Sequence, residues 1–289
     1  MKVTFGGTRG SNPVAQPGFL DFGGETSSVL IEDEQGRRLV IDAGTGLFPI
    51  GERLREAPGD RSLTILLTHY HLDHLVGLPT LSLLYDADWQ IEIVGSSGKG
   101  YSPRAMVTNL IRQPLWPVEL KKMKARISFT ELQGDPSVSS LLRGGFEIGW
   151  CPVNHDQASV AYRVVAPAAG EAFVFATDIE WAASSEEEKA SLVRMCQTPI
   201  RAGLLVMDGH YTPEEYEGFK GWGHSTWRDA VDLARQAGVE RLLLTHHSPG
   251  RDDAALTRLE AELRREMPAA SLARDRMEVE VSPAAERTR

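Results

Sequence analysis

Residues 68–74 read Thr68-His69-Tyr70-His71-Leu72-Asp73-His74, directly after the apolar run LTILL at 63–67. The run is too short and too β-branched for a helix and reads as a buried strand. The stretch that follows therefore sits at the C-terminal edge of a sheet, where α/β proteins place their sites. Three imidazoles and a carboxylate are ligand types for transition-metal ions, and such groups are costly to crowd together without a cation. In extended chain His69 and His71, two apart, point the same way. Asp73 and His74 follow past the bend and face a second point in space, so the spacing predicts two metal ions. A structural zinc site would favour thiolates, and the only cysteines, Cys151 and Cys196, form no Cys-x-x-Cys pair.

Composition sets the frame around this cluster. The chain has 289 residues, 42% hydrophobic and 25% charged, ordinary values for a globular protein with a sizeable core. Two cysteines make no disulfide framework, the start lacks a secretory h-region, and no run approaches a bilayer span. The expectation is a soluble, cytoplasmic protein. A formal charge of −9 argues against broad binding to a nucleic-acid backbone. Residues 99–126 run the other way: Lys99, Arg104, Arg112, Lys121, Lys122, Lys124 and Arg126 face the single acid Glu119. They read either as a basic lid that attracts a small anionic substrate or as the solvated face of a helical insertion. A homodimer, in which this stretch covers a partner's site, is compatible with the sequence.

Strand patterns recur at 2–5, 28–32, 38–42, 63–67, 90–94, 127–131, 146–153, 159–165, 172–176, 204–207, 241–245 and 277–281, and helical patterns at 47–56, 103–112, 185–196, 227–237 and 253–266. Strands cluster first and then mix with helices, which predicts an α+β fold of two packed sheets with helices outside. No linker divides the chain, so one domain over 1–282 is expected, with a frayed tail at 283–289. Five apolar runs each deliver an acid or histidine at their C-terminal end: Asp42, His155, Asp178, Asp208 with His210, and His246 with His247. Each alone reads as a turn residue; together with 69–74 they converge on one site.

With these residues in view, the chain resembles the metallo-β-lactamase superfamily. The resemblance rests on His-x-His-x-Asp-His, the isolated His155, Asp178 and His246. Gly221-Trp-Gly-His-Ser-Thr226 and Leu244-Thr-His-His-Ser-Pro249 look like its phosphodiesterase branch, that of ribonuclease Z and the phosphoribosyl 1,2-cyclic phosphate phosphodiesterases. The resemblance implies an αββα sandwich with the site at the rim between the sheets. It implies one metal held by His69, His71 and His155, a second by Asp73, His74 and His246, and Asp178 bridging both. The ions would be two divalent metals, zinc first, with manganese or iron suited to the same donors. His224 is the expected general acid, by likeness to the branch and because imidazole titrates near working pH; the alternative is that it caps the helix starting near Thr226. Asp208 is expected to orient His224, and Asp42 to hold a ligand histidine. His247 is left outside the ligand set, and no role is given to His210. The expected activity is a dinuclear metal-dependent hydrolase, a phosphodiesterase on a small or cyclic anionic phosphodiester. Two readings stay beside it: a nuclease on RNA or DNA 3′ ends, and a nucleotide-binding sensor with weak turnover.

Overall fold

The computed structural model describes residues 1–98, 100–132, 140–155 and 159–283. Its strands are β1 (Lys2–Gly7), β2 (Ser28–Glu32), β3 (Arg38–Ile41), β4 (Ser62–Leu67), β5 (Gln90–Ser96), β6 (Arg126–Leu132), β7 (Ser140–Arg143), β8 (Phe146–Pro152), β9 (Val160–Ala166), β10 (Glu171–Ala176), β11 (Leu204–Asp208), β12 (Leu242–Thr245), β13 (Ala270–Leu272) and β14 (Glu278–Glu280). They form two seven-stranded sheets, ordered β14-β1-β2-β3-β4-β5-β6 and β13-β12-β11-β10-β9-β8-β7. Each sheet is half antiparallel and half parallel: β3 to β6 run parallel in one, β10 to β13 in the other.

Alternation along the strands builds three apolar layers. Val3, Phe5, Leu39, Ile41 and Leu66 from the first sheet meet Ile148, Tyr162, Phe173 and Val206 from the second in the middle. Helices α1 (Leu47–Glu56) and α2 (Pro103–Leu110) cover the outer face of the first sheet. Helices α3 (Glu186–Gln197), α5 (Trp227–Ala237) and α6 (Asp253–Glu266) cover that of the second, and α4 (Pro213–Tyr216) is a single turn. This is the expected αββα sandwich. Both parallel halves direct their C-terminal ends to one rim, which gathers residues distant in sequence.

The short strands β7 and β13 and the single turn α4 carry too few residues for a readable period. The basic stretch takes a course that charge density does not reveal. Ser102 caps α2 at the rim end, beside β5, but Arg126 pairs with Gln90 at the start of parallel β5. The last residue of β4, Leu67, pairs with Gly95 near the end of β5. Lys121 to Arg126 thus lie at the sandwich edge opposite the histidine cluster. Lys99 and residues 284–289 of the tail fall outside the described residues.

Candidate metal centre

The 68–74 stretch leaves β4 and turns through a short 3-10 helix, Leu72–His74. His69 and His74 are buried while His71 is exposed. Donor atoms of His69, His71, His155 and Asp178 all lie within 4.8 Å of one another, and so do those of Asp73, His74 and His246. Asp178 stands between the two groups. Its Oδ1 lies 3.8 Å from His69 Nε2, 3.7 Å from His155 Nε2 and 3.3 Å from His246 Nε2. Its Oδ2 lies 3.2 Å from His74 Nε2, which is 3.3 Å from Asp73 Oδ2. The seven residues expected from the sequence are therefore brought together, and His246 also falls in a third donor group, with His210 and His224.

The donors fit a cation better than they fit one another. The Nε2 atom of His69 is buried and makes no hydrogen bond among the described residues. An unpartnered buried nitrogen costs free energy, and a metal ion is the partner that imidazole and carboxylate share. The charges agree. Burial opposes ionisation of Asp178, yet His246, His74 and His69 hold it well below the usual carboxylate range. Burial likewise opposes charge on His74, yet Asp178, Asp73 and Asp42 push it well above the usual imidazole value. The carboxylates of Asp178 and Asp73 thus favour a positive charge beside them.

Supporting groups fix the donors. Asp42, fully buried, accepts from Thr68 N at 2.9 Å, Thr68 Oγ1 and Ser27 Oγ, and meets His74 Nδ1 at 2.8 Å. That bond leaves Nε2 of His74 turned to the site. Ser11 N donates to Asp73 Oδ2 at 2.7 Å, and His155 Nδ1 bonds Gly223 O at 2.7 Å. Asp42, Asp178 and His246 adopt φ values of 62°, 52° and 60°, a left-handed region unusual outside glycine and often found at functional sites. Gly223 needs its own freedom: its φ is 83°, and a Cβ there would stand 2.2 Å from His155 Nδ1. Replacing Asp42 by asparagine, which tolerates a left-handed backbone, is expected to weaken metal affinity by about 10–100-fold. Chelator competition checks this, and an unchanged affinity would remove Asp42 from the tuning of His74.

Beside the donor groups lies a histidine pair. His224 Nδ1 meets Asp208 Oδ2 at 2.8 Å, and Asp208 is fully buried. Burial opposes charge on His224, but Asp208, then Asp178 and Asp73, raise its pKa to about 9. It does not cap α5: Thr226 does, in a reciprocal box with Asp229. Its ring stacks on His246 and on His210, at 4.9 and 4.6 Å between centroids. His210 faces the site and its Nδ1 bonds His246 O at 2.9 Å, a placement sequence left open; burial, with His246 and His224, lowers its pKa to about 3. His247 is buried away from the donors, its Nε2 2.8 Å from Ala273 O. Sequence reading missed Glu180. Its buried carboxylate accepts from Tyr216 Oη, Gly221 N and Gly223 N at 2.8, 2.7 and 3.0 Å and so holds the loop whose carbonyl orients His155. Its position two residues after Asp178 was the only signal.

A family model described as beta-lactamase superfamily domain matches residues 37–247. The chain belongs to the beta-lactamase superfamily. Among its relatives in sequence, ribonuclease Z of Haloarcula marismortui is 27% identical over 86% of each chain. Among solved structures in this superfamily fold, the short form of human tRNase Z superposes with a TM-score of 0.68 at 22% identity, covering 97% of this chain and 99% of the other. A diphosphatase from the PhnP family gives a TM-score of 0.68 at 17% identity, covering 99% of both.

Proposed function

We propose that the chain is a metal-dependent hydrolase of phosphodiester bonds. The observation that carries this reading is the pairing of two donor groups around Asp178 with a buried His224–Asp208 couple beside them. In this reading His69, His71 and His155 hold one divalent ion, Asp73, His74 and His246 a second, and Asp178 serves both. Two ions so held supply Lewis acidity toward a phosphoryl oxygen and an activated water. Zinc suits the imidazole and carboxylate donors, and manganese and iron(II) suit them too. Asp208 fixes the tautomer and orientation of His224 through Nδ1, leaving Nε2 to give a proton to the departing alkoxide. Against burial, Asp208 beside Nδ1 raises the pKa of His224 and so holds that proton on the ring.

The substrate we favour is a small or cyclic anionic phosphodiester. The net charge of −9 and the course of the 120–126 residues away from the rim support it over a long polyanion. The name of the ribonuclease Z relatives favours RNA as a second reading, and it weakens the charge argument against nucleic acid. No helix among the described residues is long and apolar enough to cross a membrane. A panel decides between the substrates: bis(p-nitrophenyl) phosphate, cyclic phosphates of several sizes, and a structured RNA with a 3′ extension, each with metal-loaded protein. Turnover of the small diesters that vanishes in His71→Ala, with little loss at raised salt, is the expected result. Activity confined to RNA and falling steeply with salt would favour the second reading, and no metal-dependent turnover of any diester would end the proposal.

A further inference from the structure

A row of aromatic rings leads outward from His224. The Tyr211 ring lies 6.0 Å from His224, edge to face; Phe219 stacks on Tyr211 at 4.9 Å and 9°; Trp222 meets Phe219 edge-on at 5.4 Å. Exposure rises along the row: Tyr211 is buried, Phe219 is 38% exposed and Trp222 is 66% exposed. Packing accounts for the inner rings but not for Trp222, which surrenders little surface to the fold. Yet its backbone is held firmly. Glu180 grips Gly221 N and Gly223 N on either side of it, both glycines have left-handed φ, and Trp222 N donates to Phe219 O at 3.1 Å. The next residue, Gly223, supplies the carbonyl that orients His155. An exposed indole thus stands on a firmly held backbone, one residue from the carbonyl that orients His155 and at the outer end of a row of aromatic contacts.

We infer that Trp222 is a specificity-determining residue that stacks a planar nucleobase of the substrate. This rests on the phosphodiesterase reading and narrows it to nucleotide-type diesters. A phosphate at the metal centre leaves its ester substituents to project over the rim. Base–aromatic stacking is tolerant of base identity, and removing one such ring typically weakens binding by about tenfold or more. A backbone already ordered costs less to bind than a mobile one, and the Glu180 grip holds the chain on both sides of Trp222.

Binding to the full-length, metal-loaded protein tests this, by calorimetric titration of adenosine 5′-monophosphate and of ribose 5-phosphate, which lacks the base. Wild type is expected to bind the nucleotide about tenfold more tightly. Trp222→Ala should erase that preference and Trp222→Phe should keep most of it. Equal affinity in the wild type, or a preference that survives in Trp222→Ala, would overturn the assignment. So would a dimer that Trp222→Ala converts to monomer, since the ring would then serve a second copy of the chain. Hydrolysis of methyl p-nitrophenyl phosphate, which carries no nucleobase, tests the phosphodiesterase reading separately; its failure with the nucleotide preference intact would remove the activity and leave the stacking role.

Discussion

Asp178→Asn is expected to remove metal from the chain and to reduce diester turnover by more than about a hundredfold. Residues that merely support a ligand cost 10–100-fold in metal affinity or activity, and Asp178 touches both donor groups rather than supporting one. Asparagine is the variant of choice because it accepts the left-handed backbone at this position, φ 52°, so that a folding failure is not the default outcome. The loss has a thermal signature as well. An ion present at a hundred times its Kd stabilises by about 2.7 kcal/mol, and a chain of this size gains roughly 2–4 °C per kcal/mol. Wild type should therefore melt roughly 5–10 °C higher with metal than with chelator, and Asp178→Asn should lose at least about half of that rise. Elemental analysis gives the stoichiometry directly. Two ions per chain and a full thermal response in the variant would rule out a shared carboxylate at the centre of the site.

The sequence made the candidate donors conspicuous because metal ligation needs particular side chains, and those side chains fall at strand ends that apolar runs announce. His69 to His74 stood out by density alone; Asp178 and His246 became informative only as members of a set. Asp42 was legible for the same reason, a lone carboxylate at the end of a strand beside the histidine-rich run, and it sits 2.8 Å from His74 Nδ1. Glu180 was not legible. A carboxylate whose partners are backbone N–H groups 41 and 43 residues away leaves no pattern, since backbone donors are the same at every residue. The course of the basic stretch was illegible for a related reason. Charge density is a property of composition, whereas its position depends on chain direction, and β6 begins at the edge where β5 begins. Short β7 and β13 form because neighbouring strands offer them a ladder, and no local period announces that.

His224→Ala is expected to separate proton delivery from metal binding. General acid catalysis contributes about 10²–10⁴-fold, and its value depends on the leaving group. A diester that expels an alkoxide needs the proton, so turnover of an alkyl diester should fall by that full range. A p-nitrophenolate is stable without protonation, and the same variant should lose no more than about tenfold on p-nitrophenyl diesters. Metal content should stay at the wild-type value, because His224 Nδ1 is engaged by Asp208 at 2.8 Å and His224 belongs to neither the His69, His71, His155, Asp178 group nor the Asp73, His74, His246 group. Asp208→Asn should show the same leaving-group pattern in milder form, since it disturbs the tautomer and orientation of His224 while leaving the imidazole in place. The contrast between substrates is what a purely structural role cannot reproduce: a cavity or a shifted loop would slow both esters alike. Equal losses on alkyl and p-nitrophenyl diesters, or a fall in bound metal, would assign His224 to holding the site together and remove it from proton delivery.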